Sequence, residues 1–141
     1  MNIRELLTDE EFDAAFDVMS ELRTHLDKSK YLELLAEMRP NGYRMVAVED
    51  EGAIVALAGM TTSVNFYYGH YMWVYDLITT DKGRSKGYGI ALLGHLEQMA
   101  RDEGCETIAL SSAHFRKDAH RFYADKASME SAGLVFVKKL I

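Results

Sequence analysis

The residues richest in chemistry form one run, Asp76-Leu77-Ile78-Thr79-Thr80-Asp81-Lys82-Gly83-Arg84-Ser85-Lys86-Gly87-Tyr88-Gly89-Ile90-Ala91. An apolar stretch passes into a loop with glycines at 83, 87 and 89, and the loop opens into an apolar stripe of helical spacing. Glycine lets the backbone adopt positive φ and approach a ligand with no Cβ in the way. Free N–H groups at a helix start, backed by the positive end of the helix dipole, make a nest for an anion. Lys82, Arg84 and Lys86 add positive charge in a chain that is otherwise acidic. A pyrophosphate is the natural guest. The loop is not a P-loop, because no Gly-Lys-Ser/Thr follows its first glycine at the required spacing. It is not the dinucleotide fingerprint either, since Gly-x-Gly-x-x-Gly does not occur. A basic surface loop without a ligand is the plainer alternative.

Other reactive residues are sparse. Cys105 is the only cysteine, so neither a disulfide within the chain nor a cysteine zinc framework is expected. Its place just before Thr107-Ile108 suits an inert thiol at the entry to a buried strand. His114 and His120 are spaced too widely to share one helical face, and His25, His70 and His95 are scattered, so no metal site is expected. Phe66, Tyr67, Tyr68, Tyr71, Trp73 and Tyr75 crowd one segment; alternation sends them to both faces of a sheet. Some suit a core or a partner contact, and the others a pocket wall facing a cationic amine. Asp27, Glu33 and Glu37 are possible ammonium partners, with solvated carboxylates as the alternative.

The elements that must position these residues read as one domain, 1–141. Apolar residues make up 48% and charged residues 27%, which excludes a disordered or fibrous chain. The net charge of −6 lacks the positive surplus of a duplex nucleic-acid binder. It suits a cationic small substrate, and solubility equally. With no apolar leader and no long apolar run, a soluble cytoplasmic protein without membrane attachment is expected. A strand over 3–7 leads to Thr8 and Glu11, spaced as a capping box, and to a helix carrying Phe12, Ala15, Phe16, Met19 and Leu22. A second helix covers 29–39 and stops at Pro40-Asn41-Gly42. Strands are predicted over 43–49, 53–60, 61–66 and 71–79, then a helix over 89–103 ending at Gly104. A strand at 106–111, a helix at 117–126 and a strand at 132–140 complete a mixed α/β chain.

Arg84-x-x-Gly87-x-Gly89, followed by that helix, resembles the acyl-CoA pyrophosphate loop of the GNAT acetyltransferase superfamily. Arg116-Lys117-Asp118-Ala119-His120-Arg121-Phe122-Tyr123 is similar to the late helix of the family, especially in its bacterial aminoalkylphosphonate N-acetyltransferase branch. The resemblance covers about 1–140 and implies an α/β (α+β) GNAT fold: a mixed, mostly antiparallel sheet of six to seven strands with helices on both faces. It implies an acetyl-CoA-dependent transferase acting on a small-molecule amine, a homodimer, and a splayed strand whose backbone at Leu77, Ile78 and Thr79 meets the pantetheine arm. The amides from Ser85 through Lys86, Gly87, Tyr88 and Gly89 to Ile90 would hold the pyrophosphate, with Arg84, Arg116 and His120 nearby. Arg116 stands where the family often has Asn, and Ala127-Ser128 replaces an expected Gly-Phe.

Acetyl transfer from a thioester to an amine needs a neutral amine, a stabilised oxyanion and a proton for the departing thiolate. By the resemblance Tyr123 matches the tyrosine that commonly lies near the thioester sulfur, and a tyrosine can give that proton as general acid, with a plain core aromatic as the alternative. A backbone N–H near Ile78 or Thr79 can polarise the carbonyl. Asp76 is the candidate to accept the proton of the amine, with a strand-edge carboxylate as the alternative. No activated cysteine or serine is evident, so direct transfer in a ternary complex is expected. A non-catalytic acyl-CoA sensor and an acetyltransferase of protein Lys or N-termini stand as alternatives.

Overall fold

Thr8 starts the first helix as its spacing predicts. The computed structural model describes residues 1–141 in two compact units, Met1–Leu110 and Ser111–Ile141. In the first, β1 (Asn2–Glu5) precedes α1 (Asp9–Leu22). The Thr8 hydroxyl accepts from the Glu11 N–H at 3.2 Å, and Glu11 accepts from the N–H groups of Leu7 and Thr8, each at 3.0 Å. These donors, with Arg4, hold the Glu11 carboxyl down at about 2. A lowered folded pKa stabilises above the ordinary carboxylate range, and the gain fades as pH falls. Glu11→Gln is therefore expected to lower Tm at neutral pH, and the difference should close between pH 4.5 and about 2. Thr8→Ala is expected to cost about 1 kcal/mol in urea unfolding.

After α2 (Lys28–Met38) and a 3₁₀ turn at Arg39–Asn41 come β2 (Arg44–Asp50), β3 (Ala53–Asn65) and β4 (Gly69–Thr79). The stretches 53–60 and 61–66 are one continuous strand rather than two. α3 (Tyr88–Asp102) follows, capped by Gly104 at φ 83°, and β5 (Thr107–Leu110) ends the unit. The strands lie in the order β1-β2-β3-β4-β5, antiparallel except for the parallel β4/β5 pair.

Alternation along the strands feeds two layers. Met45, Ala47, Leu57 and Ile78 pack with Phe12, Ala15, Met19, Tyr31 and Leu35 of α1 and α2. Leu92, Leu93 and Leu96 of α3 are fully buried from the other side, each favouring burial by about 2 kcal/mol. No helix is long and apolar enough to cross a membrane.

Two irregularities of β4 position the site. Gly59 pairs with Asp76 and Met60 with Val74, so Tyr75 is an unpaired bulge residue. Its insertion turns Asp76 toward α1 and α2; in a regular strand Asp76 would follow Met72 and Val74 toward α3. Pairing with β5 spans only Tyr71–Val74. From Tyr75 to Thr79, β4 is paired to β3 alone, and its other edge carries no strand.

The second unit holds α4 (Lys117–Arg121), a π-helical turn at Phe122–Lys126, and residues 127–141 without regular structure. The expected helix at 117–126 is thus split, and the expected strand at 132–140 is absent. The sheet has five strands, not six to seven. The continuous run Leu134-Val135-Phe136-Val137 suits only a strand covered on both faces. Here those side chains are 64–90% exposed, and no residue after Leu110 joins the sheet.

Candidate active site

β4 hands over to the loop through Thr80, whose N–H donates to the Val55 carbonyl at 2.9 Å. The Thr80 hydroxyl accepts from the Gly83 N–H at 3.2 Å and shapes a 3₁₀ turn, Asp81–Gly83. A Cβ on Gly83 would lie 3.0 Å from the Val55 carbonyl oxygen, so any side chain there would have to push that backbone aside. Ser85 at φ 65° and Gly87 at φ 83° then curl the backbone into a nest at the start of α3. No side chain caps this helix, and the N–H groups from Ser85 to Ile90 make no hydrogen bond within the protein. The Tyr88 hydroxyl donates to Asp50 at the end of β2, tying down the helix start. That bond raises the hydroxyl of Tyr88 above its ordinary pKa and lowers the carboxyl of Asp50. Arg84 pairs with Asp81 at 3.2 Å, while Lys82 and Lys86 are exposed.

On the α1/α2 side of β4 lies a cavity of about 280 Å³, walled chiefly by Met19, Tyr31, Leu35, Tyr43 and Met45. Asp76 is 7% exposed in its wall. The Tyr43 hydroxyl donates to Asp76 Oδ2 at 2.6 Å, and Arg23 Nε to Asp76 Oδ1 at 2.9 Å. Arg23 Nη2 also donates to the Tyr75 carbonyl at 2.7 Å. Burial, and then the charge of Asp76, push the Tyr43 hydroxyl well above its ordinary pKa, so it remains a donor. Burial raises the Tyr31 hydroxyl likewise, and it donates to the Phe12 carbonyl at 2.7 Å. A Cβ on Gly59 would sit 1.9 Å from Tyr43 Oη and 2.6 Å from Asp76 Oδ2. Only glycine leaves room for this bond. Two larger grooves, of about 490 and 520 Å³, flank Arg39 without reaching Asp76.

In the second unit, Tyr123 lies in the π-helical turn, half-buried, with its ring edge-on to Phe122 at 5.8 Å. Its hydroxyl makes no hydrogen bond within the protein. His120 Nε2 is 2.9 Å from the Ala113 carbonyl oxygen, and Arg116 precedes α4.

Arg84 to Ile90 thus gather on one turn, and Leu77, Ile78 and Thr79 lead into it along a half-paired strand. The aromatic segment falls elsewhere: Phe66 and Tyr67 are exposed at the β3–β4 tip, none of the six lines the cavity, and the Tyr75 ring lies 6.1 Å from that of Tyr43 between centroids. Asp27 caps α2 and Glu33 pairs with Lys30; neither these nor Glu37 line the cavity. Burial and the charge of Glu103 raise the Cys105 thiol, in keeping with an inert residue. The aromatic wall is instead Tyr31 and Tyr43, which fall in the helix expected over 29–39 and at the start of the strand expected over 43–49. Gly59, isolated in the apolar run Ala56-Leu57-Ala58-Gly59-Met60, was the available signal that something passes close to that strand.

Residues 2–127 match the acetyltransferase (GNAT) family. The chain is 40% identical over 139 residues to the Uncharacterized N-acetyltransferase YhdJ of Bacillus subtilis (strain 168), covering 98% of each. It is 28% identical over 130 residues to the aminoalkylphosphonate N-acetyltransferase of Salmonella typhimurium, covering 88% of this chain and 82% of that one. An aminoglycoside N-acetyltransferase solved in complex with CoA has the same fold, with a TM-score of 0.77 at 12% identity over 99% of this chain and 100% of that one.

Proposed function

We propose, from the premise that this chain belongs to the acetyltransferase (GNAT) family and is an N-acetyltransferase, that it moves acetyl from acetyl-CoA directly to the primary amine of a small molecule. The observation that carries the reading is the row of unpartnered amides from Ser85 to Ile90, which follows the free edge of β4 after the turn at Asp81–Gly83. This surface fits coenzyme A. The amides and the end of the α3 dipole suit two linked phosphates, with Arg84 and Lys86 adding charge. The free edge at Leu77, Ile78 and Thr79 suits the amide groups of the pantetheine arm. The thioester supplies an activated acetyl group and a thiolate leaving group.

The residues of the chain supply the rest. An N–H of Ile78 or Thr79 on the free edge polarises the carbonyl, and Tyr123 returns a proton to the departing sulfur. Arg116 and His120 complete the cofactor contacts. Asp76 takes the proton of the amine. Each of its oxygens already accepts one bond but retains a lone pair, so the proton arrives through a bridging water. Holding both reactants in one cleft contributes much of the acceleration. The volume of the cavity, about 280 Å³, favours a small acceptor over a protein chain.

The test is calorimetry with coenzyme A together with thiol release from acetyl-CoA in the presence of an amine panel. Binding with amine-dependent thiol release is the expected result. Binding without release for any amine would reduce the protein to a sensor, and no heat from coenzyme A would remove the premise of the site.

A further inference from the structure

We propose that the acceptor carries an acid group, carboxylate or phosphonate, beside its amine, and that Arg23 holds that group at the mouth of the cavity. The inference rests on the transferase reading and adds the class of acceptor and a specificity-determining residue.

Asp76 is the only carboxylate lining the cavity, and both its oxygens are engaged, by Tyr43 and by Arg23. It is poorly placed to anchor a bare ammonium. Arg23 has the opposite character. Its Nε and Nη2 point inward, to Asp76 and to the Tyr75 carbonyl, and these two bonds fix the plane of the guanidinium. Nη1 has no protein acceptor, and the side chain is 40% exposed. A planar cation already immobilised, with donors directed outward, matches an oxyacid group and loses little entropy on binding it. His25, also exposed, lines the same mouth and supplies a second donor. The remaining wall, Met19, Leu34, Leu35, Met38 and Met45, takes carbon.

Position completes the argument. Tyr75, whose carbonyl Arg23 grips, is the first residue of β4 beyond its pairing with β5. An acid group held there places a neighbouring amine where the free edge begins. The net charge of −6 suggests a cationic acceptor, but the donors left free at this mouth belong to Arg23 and His25. A zwitterion satisfies both.

Matched acceptors test the inference: leucine against 3-methylbutylamine, and 2-aminoethylphosphonate against ethylamine. Thiol release and calorimetric binding in the presence of coenzyme A are both measured. At least one acid-bearing member should be favoured over its plain partner by about tenfold or more, in kcat/KM and in Kd. The arm with the larger ratio identifies the acid group. Arg23→Gln should bring the ratio toward one through KM, and Arg23→Lys should restore part of it. Each ratio is taken within one variant, so a loss of folded protein cancels. Plain amines that equal their acid partners, a preference that survives Arg23→Gln, or no binding by either acid overturns the inference. Arg23-dependent binding of an acid-bearing amine without any thiol release would sink the transferase reading and leave this one standing. Transfer to plain amines without preference would do the reverse.

Discussion

Tyr123→Phe is expected to lower kcat by about 10²- to 10³-fold while the protein stays folded. Phenylalanine keeps the ring that meets Phe122 edge-on at 5.8 Å. The hydroxyl it removes makes no hydrogen bond within the protein, so no structural bond goes with it. A proton donor for the departing thiolate acts only in the transition state, so kcat and kcat/KM should fall together with little change in the KM for acetyl-CoA. Steady-state thiol release over a range of acetyl-CoA concentrations makes the distinction. Full kcat in the variant would take Tyr123 out of the chemistry and leave the proton to water.

Gly59→Ala should be the most damaging single methyl in the first unit. The new Cβ overlaps Tyr43 Oη and Asp76 Oδ2, and neither belongs to a flexible surface side chain: both residues are buried, at 7% exposure. The overlap forces Tyr43 away and strips a buried carboxylate of one of its two donors. Overpacking and the disrupted buried network together are expected to cost about 3 kcal/mol or more in urea unfolding. Tyr43→Phe removes the same bond without adding an atom and should cost less, about 1–2 kcal/mol. Both should depress acetyl transfer, because Asp76 loses its placement. An unfolding midpoint for Gly59→Ala equal to that of the parent would show that β3 and β4 separate easily at the bulge, and the account of the Tyr43–Asp76 bond would fail.

Much of this was legible in the residues, for identifiable reasons. The Thr8 cap, the α3 stripe and the glycine-rich loop are local patterns, and local patterns follow from the spacing of a few neighbours. The Arg23–Asp76–Tyr43 cluster was not legible, because its members are 53 and 33 residues apart and meet only through the bulge at Tyr75. Asp76 stood out as a candidate; its two partners did not. The strand expected at 132–140 failed for a related reason. An apolar run states that it needs cover without stating what provides it, and residues 127–141 form no ladder.

The stretch of β4 left open beyond Tyr75, and the amides that continue it, have a bearing on how such a protein changes over generations. What they present is peptide, and every amino acid but proline brings the same N–H. The sole proline here, Pro40, lies outside them. Point mutation can therefore rewrite the side chains at 77–79 without erasing the groups that would greet a donor. Ancestry in that part of the molecule is stored in the path of the chain rather than in its spelling, which is how an acetyltransferase can share this architecture while sharing few letters.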